Sequence, residues 1–332
     1  MQLQHPYLLF LGDAHDELAA KTAAGVYQWR PDWCVGQLRL PGCNTTLGLP
    51  DMTLEEGRKA GARTLVVGVA NRGGIISDTW QGTFVDALEQ GYDIAAGLHQ
   101  RLSDVAAVRE AAEEHGRLLA DVRHPRERFG VGTGEPRSGR RLLAVGTDCS
   151  VGKMYTTLAL EVEMKKRGMK ADFRATGQTG IFIAGSGVSV DAVVADFISG
   201  AVESLSPAND PDHWDLIEGQ GSLFHPSFAG VSMGLLHGAQ ADALVLCHEP
   251  DRAHMRGLPH QPLPEIRECM DMNLRCAHLT NPKAKFVGIC LNTKRLDDAQ
   301  AERVLKETED RYGLPTADPV RTGVARIVDA LG

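Results

Sequence analysis

The chain has 332 residues, enough for two domains with separate cores, and 43% of them are hydrophobic against only 5% aromatic. With 36 glycines, that balance predicts an aliphatic α/β protein with many tight strand-to-helix turns. A formal net charge of -8 excludes nucleic acid as the main partner, and the lack of a long apolar run excludes a membrane-spanning helix.

The first half alternates strands and helices. Tyr7–Leu11 (YLLFL) reads as a buried strand, followed by a helix from Asp16 to about Val26. After a Pro/Gly-punctuated stretch come a helix over 53–60 and the β-branched strand TLVVGV at 64–69. A helix over 80–89, a strand over 93–96, a helix over 105–115 and a strand over 118–122 complete the set. Strands separated by helices pair in parallel through right-handed crossovers, so residues 1–125 are expected to form a Rossmann-like domain. Residues 126–139, rich in Gly, Pro and Arg without apolar periodicity, read as a linker. Residues 140–332 restart with a strand at 141–145, a helix to about Arg167 and a strand over 170–175. A Gly-rich turn, a helix over 191–202 and strands at Leu216-Ile217, 243–247 and 286–291 follow, making a second doubly wound α/β domain of the P-loop NTPase type.

Between the strand 141–145 and its helix lies VGTDCSVGKMYTT. Gly146, Thr147, Asp148, Cys149, Ser150, Val151, Gly152, Lys153, Met154 and Tyr155 are the candidate coenzyme-binding residues. Successive backbone N–H groups and a helix N-terminus face an anion there, and Lys153 adds a full charge. Met154 stands where nucleotide hydrolases place a hydroxyl on Mg²⁺. A thioether is a poor ligand for that hard cation, and Thr156 and Thr157 lie on other helical faces. Met154, Leu158 and Val162 also share a spacing that fits a buried stripe. The loop is therefore expected to grip phosphate without transferring it, and no metal is required.

The form Gly-Thr-Asp-x-x-x-Gly-Lys resembles the loop of dethiobiotin synthetase and its relatives. Taken with RATGQTG at 174–180, DLIEGQGSL at 215–223 and VGVANRGG at 67–74, the chain resembles a two-domain P-loop family long described only as a domain of unknown function. That family includes bacterial D-glutamate N-acetyltransferases. The resemblance implies a Rossmann-like domain followed by a P-loop domain, acetyl-CoA as co-substrate, and transfer of its acetyl group to a D-amino acid, D-glutamate first.

Coenzyme A carries a diphosphate and a 3′-phosphate that need gripping but not cleaving, which suits this loop. Acetyl transfer requires a deprotonated amine and donors for the thioester oxyanion. Glu218, between the strand of WDLIEGQGS and two ligand-admitting glycines, is the leading general base, and Asp148 is either a competing base or a brace of the loop. With Lys153 they form the candidate catalytic set. An acidic acceptor needs cations or amide nests for its carboxylates. Asn71, Arg72, Gly73 and Gly74 follow a strand at the carboxyl edge where open α/β sheets bind ligands. Asn44, Thr45, Arg174, Gln178, Thr179 and Gln220 are further candidates, with the acceptor expected at the domain junction. No histidine or other base stands at fixed spacing from Cys149, so direct transfer is expected over an acetyl-cysteine, and the histidines at 225, 248, 254 and 260 show no metal spacing.

The alternatives are an ATP- and Mg²⁺-dependent ligase or kinase resembling dethiobiotin synthetase, and a non-catalytic CoA- or nucleotide-binding protein. A nicotinamide dehydrogenase would need a G-x-G-x-x-G after the first strand, and there is none. Seven cysteines without a CxxC pair and no secretory leader suggest a cytoplasmic protein with reduced thiols. A small-molecule partner, no nucleic acid or membrane partner, and assembly into a homo-oligomer are expected.

Overall fold

The computed structural model describes residues 2–17, 19–69, 74–125 and 127–332, and the chain divides into two compact units. The first holds Met1–Arg126 and Gly177–Ala192, the second Glu127–Thr176 and Val193–Gly332.

In the first unit, β1 (Tyr7–Gly12), β2 (Cys34–Arg39), β3 (Thr64–Val67), β4 (Asp93–Ala96) and β5 (Leu119–Asp121) form one parallel sheet in the order β2-β1-β3-β4-β5. The helices α1 (Lys21–Trp29), α2 (Leu54–Lys59), α3 (Asp78–Glu89) and α4 (Ala106–Glu114) lie in the connections. Every residue of β1 is buried, as its uninterrupted apolar run requires of a central parallel strand. Phe10 packs edge-on against Trp80 and Phe84 of α3, so this core is partly aromatic. Strand order reverses beside β1, and the carboxyl ends of β1 and β3 therefore flank a switch-point crevice.

The second unit centres on β6 (Arg140–Gly146), followed by α5 (Lys153–Lys166) and β7 (Ala171–Arg174). The next helix, α6 (Gln178–Ala184), belongs to the first unit, where the Phe182 carbonyl accepts from the Tyr7 hydroxyl at 3.3 Å. The chain then continues through α7 (Ile198–Leu205), β8 (Trp214–Ile217), α8 (Ala229–Ala239), β9 (Ala243–His248) and a small hairpin, β10 (His254–Met255) and β11 (Leu258–Pro262). It ends with α9 (Ile266–Ala277), β12 (Lys285–Leu291), α10 (Asp298–Tyr312), β13 (Thr316–Ala317) and α11 (Ala325–Asp329). The six-stranded sheet runs β13-β12-β9-β6-β8-β7, all parallel, with β6 held between β8 and β9.

Several elements depart from the sequence reading. The helix expected over 191–202 is two short 3-10 turns, Val190–Ala192 and Ala195–Phe197, before α7, because the chain passes there from the first unit to the second. The Gly-rich turn after β7 contains α6. Of residues 126–139, expected as a linker, 127–139 group with the second unit. Glu203 accepts from the Thr133 and Gly134 amides, and the Arg137 guanidinium donates to the carbonyls of Glu203, Ser206 and Gly238 at the ends of α7 and α8. An arginine that satisfies helix-terminal carbonyls carries no periodic signal, so the segment looked featureless.

Close approach fixes where the first helix meets its sheet. A Cβ on Gly68, just after β3, would stand 2.3 Å from Ala23 Cβ and 2.9 Å from Ala23 Cα in α1. Gly68→Ala is expected to cost roughly 1–3 kcal/mol through overpacking. Urea denaturation would show it as a lower midpoint at unchanged slope, and an unchanged midpoint would contradict the packing.

Candidate functional site

The loop after β6 owes its shape to one buried carboxylate. Asp148 is fully buried. Its Oδ1 accepts the Cys149 amide at 2.6 Å, and its Oδ2 accepts Arg252 Nη1 at 2.7 Å and the Arg256 amide at 2.8 Å. Arg252 also donates to the carbonyls of Cys149 (2.6 Å) and Ser150 (3.2 Å) and pairs with Glu249. Lys153 Nζ donates to the Asp148 carbonyl at 2.8 Å. Three successive loop carbonyls thus face protein cations. Ser150 (φ 56°) and Gly152 (φ 105°) take left-handed backbone angles, the alternation that turns loop amides toward a common anion.

Lys153 is buried at the start of α5, and burial pushes its ammonium below its ordinary value. Gly146 has room for no side chain: a Cβ there would stand 2.8 Å from Val151 Cγ2 and 3.3 Å from Lys153 Nζ. Thr147 is buried; its hydroxyl meets His248 Nδ1 at 2.9 Å and its carbonyl accepts from the Ser222 hydroxyl. Burial, reinforced by Arg252, pushes His248 down to about 4, so its imidazole is neutral at physiological pH.

Met154 and Tyr155 are half-buried. The stripe of Met154, Leu158 and Val162 is not formed as expected, since Leu158 is buried but Val162 is 52% exposed. The buried face of α5 instead runs through Lys153, Thr156, Thr157, Leu160, Glu161 and Met164. The two threonine hydroxyls are bonded within the protein: Thr157 donates to the Lys153 carbonyl at 2.8 Å, and Thr156 accepts from the Cys247 thiol at 3.3 Å.

At the ends of β7 and β8, Glu218 is buried and accepts the Thr176 amide at 3.0 Å, while the Thr176 hydroxyl donates to the Glu218 carbonyl and accepts from Gln220 Nε2 at 3.1 Å. Gly219 brings this turn onto the phosphate loop. A Cβ there would stand 1.6 Å from the Ala144 carbonyl oxygen and 3.0 Å from Lys153 Cδ. Glu218, Gln220, Lys153 and the loop are thereby brought together.

Asp148, with at least three donors on its two oxygens, has the geometry of a brace and not of a base. Arg174 is committed as well: its guanidinium holds the buried Asp215 at 2.7 Å, so its charge is already matched inside the protein. In the first unit, the Asn44 amide donates to Ala14 just beyond β1, and Thr45 is buried beside it. Gly74 accepts from the Gln100 amide beyond β4, Gln178 packs on Gly97, and Thr179 packs on Gly25. These residues lie at or near the carboxyl edge of the five-stranded sheet. Asn71, Arg72 and Gly73 lie outside the described residues.

No histidine stands at fixed sequence spacing from Cys149, and the fold brings one to it from a distant segment. One ligand atom each of Asp148, Cys149 and His225 lie within 4.8 Å of one another. His225 Nδ1 accepts the Ser227 amide at 3.2 Å, which puts the ring proton on Nε2, and Nε2 faces the Arg256 carbonyl at 3.4 Å. In this tautomer Nε2–H points at the Arg256 carbonyl and Nδ1 is taken by Ser227, so neither ring nitrogen is left to accept the Cys149 proton. Burial pushes the Cys149 thiol up, although Lys153 and the two arginines oppose it. Both facts favour a thiol over a thiolate.

Residues 38–125 match the Rossmann-like domain, and residues 128–328 the P-loop domain, of DUF1611, each described as a domain of unknown function. The chain belongs to the DUF1611 family. It is 58% identical over 329 residues to a protein of Tritonibacter scottomollicae named D-glutamate N-acetyltransferase, and 49% identical over 328 residues to one of the same name from a Pseudoalteromonas species, each match covering 99% of both chains. The crystal structure of a DUF1611 family protein from Anabaena variabilis is similar over 99% of both chains, with 31% identity and a TM-score of 0.85.

In this DUF1611 chain, sequence reading missed Arg252, Arg256, Thr176, Ser222 and the placing of His225 and His248. The arginines were within reach of it: HEPDRAHMR directly follows β9, a neighbour of the loop strand, and ligand groups gather at such carboxyl ends. Arg252→Ala would leave buried Asp148 without its ion-pair partner and Glu249 with Arg295 alone, and is expected to cost roughly 3–5 kcal/mol. Urea denaturation checks this; a loss of only about 0.5 kcal/mol, as for an ordinary surface change, would contradict it.

Proposed function

We propose that this chain transfers the acetyl group of acetyl-CoA to the amino group of D-glutamate. The observation that carries the reading is a phosphate loop with Lys153, inward amides and nearby arginines, yet with no hydroxyl at position 154 and with both threonine hydroxyls bonded elsewhere. Such a loop suits a coenzyme whose phosphates are only a handle. The shared name of two full-length relatives supports the same activity.

In this account, Lys153 and the amides of the loop through Tyr155 hold the coenzyme's phosphates. Glu218 accepts a proton from the acceptor ammonium, and the freed amine attacks the thioester carbonyl. A C–N bond forms, backbone amides stabilise the oxyanion, the C–S bond breaks, and the second proton lost by the attacking nitrogen passes to the departing coenzyme thiolate. Gln220, next to Glu218 in the second unit, is the group proposed to recognise the acceptor. Metal plays no part in any of these steps.

The test is free-thiol release from acetyl-CoA with D-glutamate, with and without EDTA. Equal release in both, with N-acetyl-D-glutamate as product, is expected; ADP formed from ATP without thiol release would overturn the reading in favour of a ligase or kinase. Glu218→Gln is expected to lower kcat roughly 10²- to 10⁴-fold. Unchanged kcat would remove Glu218 from the chemistry.

Direct transfer makes a second expectation. Cys149→Ala retains most of the wild-type kcat, and mass spectrometry of wild type mixed with acetyl-CoA alone shows no acetylated Cys149. An acetyl-enzyme that D-glutamate discharges would instead establish a covalent route.

A further inference from the structure

We propose that the Arg256 guanidinium is the cation that neutralises the coenzyme diphosphate, in the place Mg²⁺ takes in nucleotide-hydrolysing loops. The inference rests on the acetyl-CoA reading above and names a binding residue for it.

Arg256 and Gly257 (φ 79°) form the turn between β10 and β11. The backbone of Arg256 is met on both sides by buried side chains. Its amide donates to Asp148 Oδ2 at 2.8 Å, and its carbonyl faces His225 Nε2 at 3.4 Å; the two side chains are 0% and 2% exposed. His225 is itself fixed by the Ser227 amide. Two buried polar groups, one of the loop and one beside it, therefore spend hydrogen bonds on the backbone of one exposed residue, a costly arrangement for a turn whose side chain had no task.

That side chain leans over the loop and donates to the Ser150 hydroxyl, at the left-handed residue that shapes the amide nest. Its environment differs from that of Arg252. Arg252 lies between two buried carboxylates, Asp148 and Glu249. Arg256 makes no ion pair among the described residues, and it stands at the loop with its charge unmatched. A diphosphate on inward amides needs more positive charge than Lys153 alone provides, and a guanidinium meets two phosphate oxygens in one plane.

The cluster of Asp148, Cys149 and His225 is spaced as a metal site could be. Two of its members are already turned to Arg256, and Asp148 also bears the Arg252 guanidinium. The groups that could have held a metal cation here instead fix a built-in one.

The experiment titrates pyrophosphate and CoA separately into wild type, Arg256→Gln and Arg256→Lys, in EDTA and again in Mg²⁺, with thermal melting of each variant as a control. For wild type, equal affinity in EDTA and Mg²⁺ is expected. Arg256→Gln is expected to weaken both ligands roughly tenfold or more at an unchanged melting temperature, and Arg256→Lys to recover part of the loss. In turnover, the loss falls on KM for acetyl-CoA and leaves kcat and KM for D-glutamate close to wild type. Wild-type affinity for pyrophosphate in Arg256→Gln, or wild-type binding that requires Mg²⁺, would overturn the proposal. Pyrophosphate binding that depends on Arg256 in a chain that ignores CoA would uphold the guanidinium's role toward a diphosphate and sink the acetyl-CoA reading instead.

Discussion

Everything at the phosphate loop follows from the contact between Asp148 and Arg252. A buried carboxylate and a nearly buried guanidinium require each other, because either left alone would be an unmatched charge in a poor solvent for ions. Once paired, the guanidinium's remaining N–H groups turn to the Cys149 and Ser150 carbonyls. With those carbonyls committed, the amides across the same peptides, of Ser150 and Val151, are turned away from Arg252, while the Cys149 amide is held by Asp148 Oδ1. The proposed anion site depends on where the carbonyls have gone.

The second constraint is crowding. Gly146 and Gly219 bring β6, the loop and the end of β8 to distances that admit no Cβ, and this sets the turn of Glu218, Gly219 and Gln220 against the stem of Lys153. Packing and chemistry are linked there, since a side chain at Gly219 would push the carboxylate's turn off the loop. Buried neutral groups support the arrangement: His248 stays uncharged, and its contact with Thr147 does not add a cation beneath the nest. Positively charged side chains gather here from two segments, Lys153 from the loop itself and Arg252 and Arg256 from the stretch after β9.

The architecture was legible in the sequence because parallel strands buried on both faces are written as unbroken apolar runs, and β1, β3, β6, β9 and β12 all read that way. The loop was legible because Gly146, Gly152 and Lys153 mark it locally. What could not be read was set by long-range contact. The helix Gln178–Ala184 follows a strand of one unit and packs in the other, which nothing in RATGQTG announces. The roles of Asp148 and Arg174 were ambiguous because a carboxylate or an arginine at a strand end looks the same whether its partner is a substrate or a buried residue 41 or 104 positions away. His225 reaches the loop only through the fold, and no spacing in the chain predicts it.

Central to the proposed activity is a loop that, without metal, holds the coenzyme by its diphosphate next to Glu218. A crystal structure of the chain with CoA, grown in EDTA, tests that directly. The account predicts the diphosphate on the amides of residues 150–154, with Lys153 Nζ moved from the Asp148 carbonyl to a phosphate oxygen and Arg256 moved from Ser150 to the same group. A diphosphate bound away from this loop, or CoA that binds only when Mg²⁺ is restored, would contradict it.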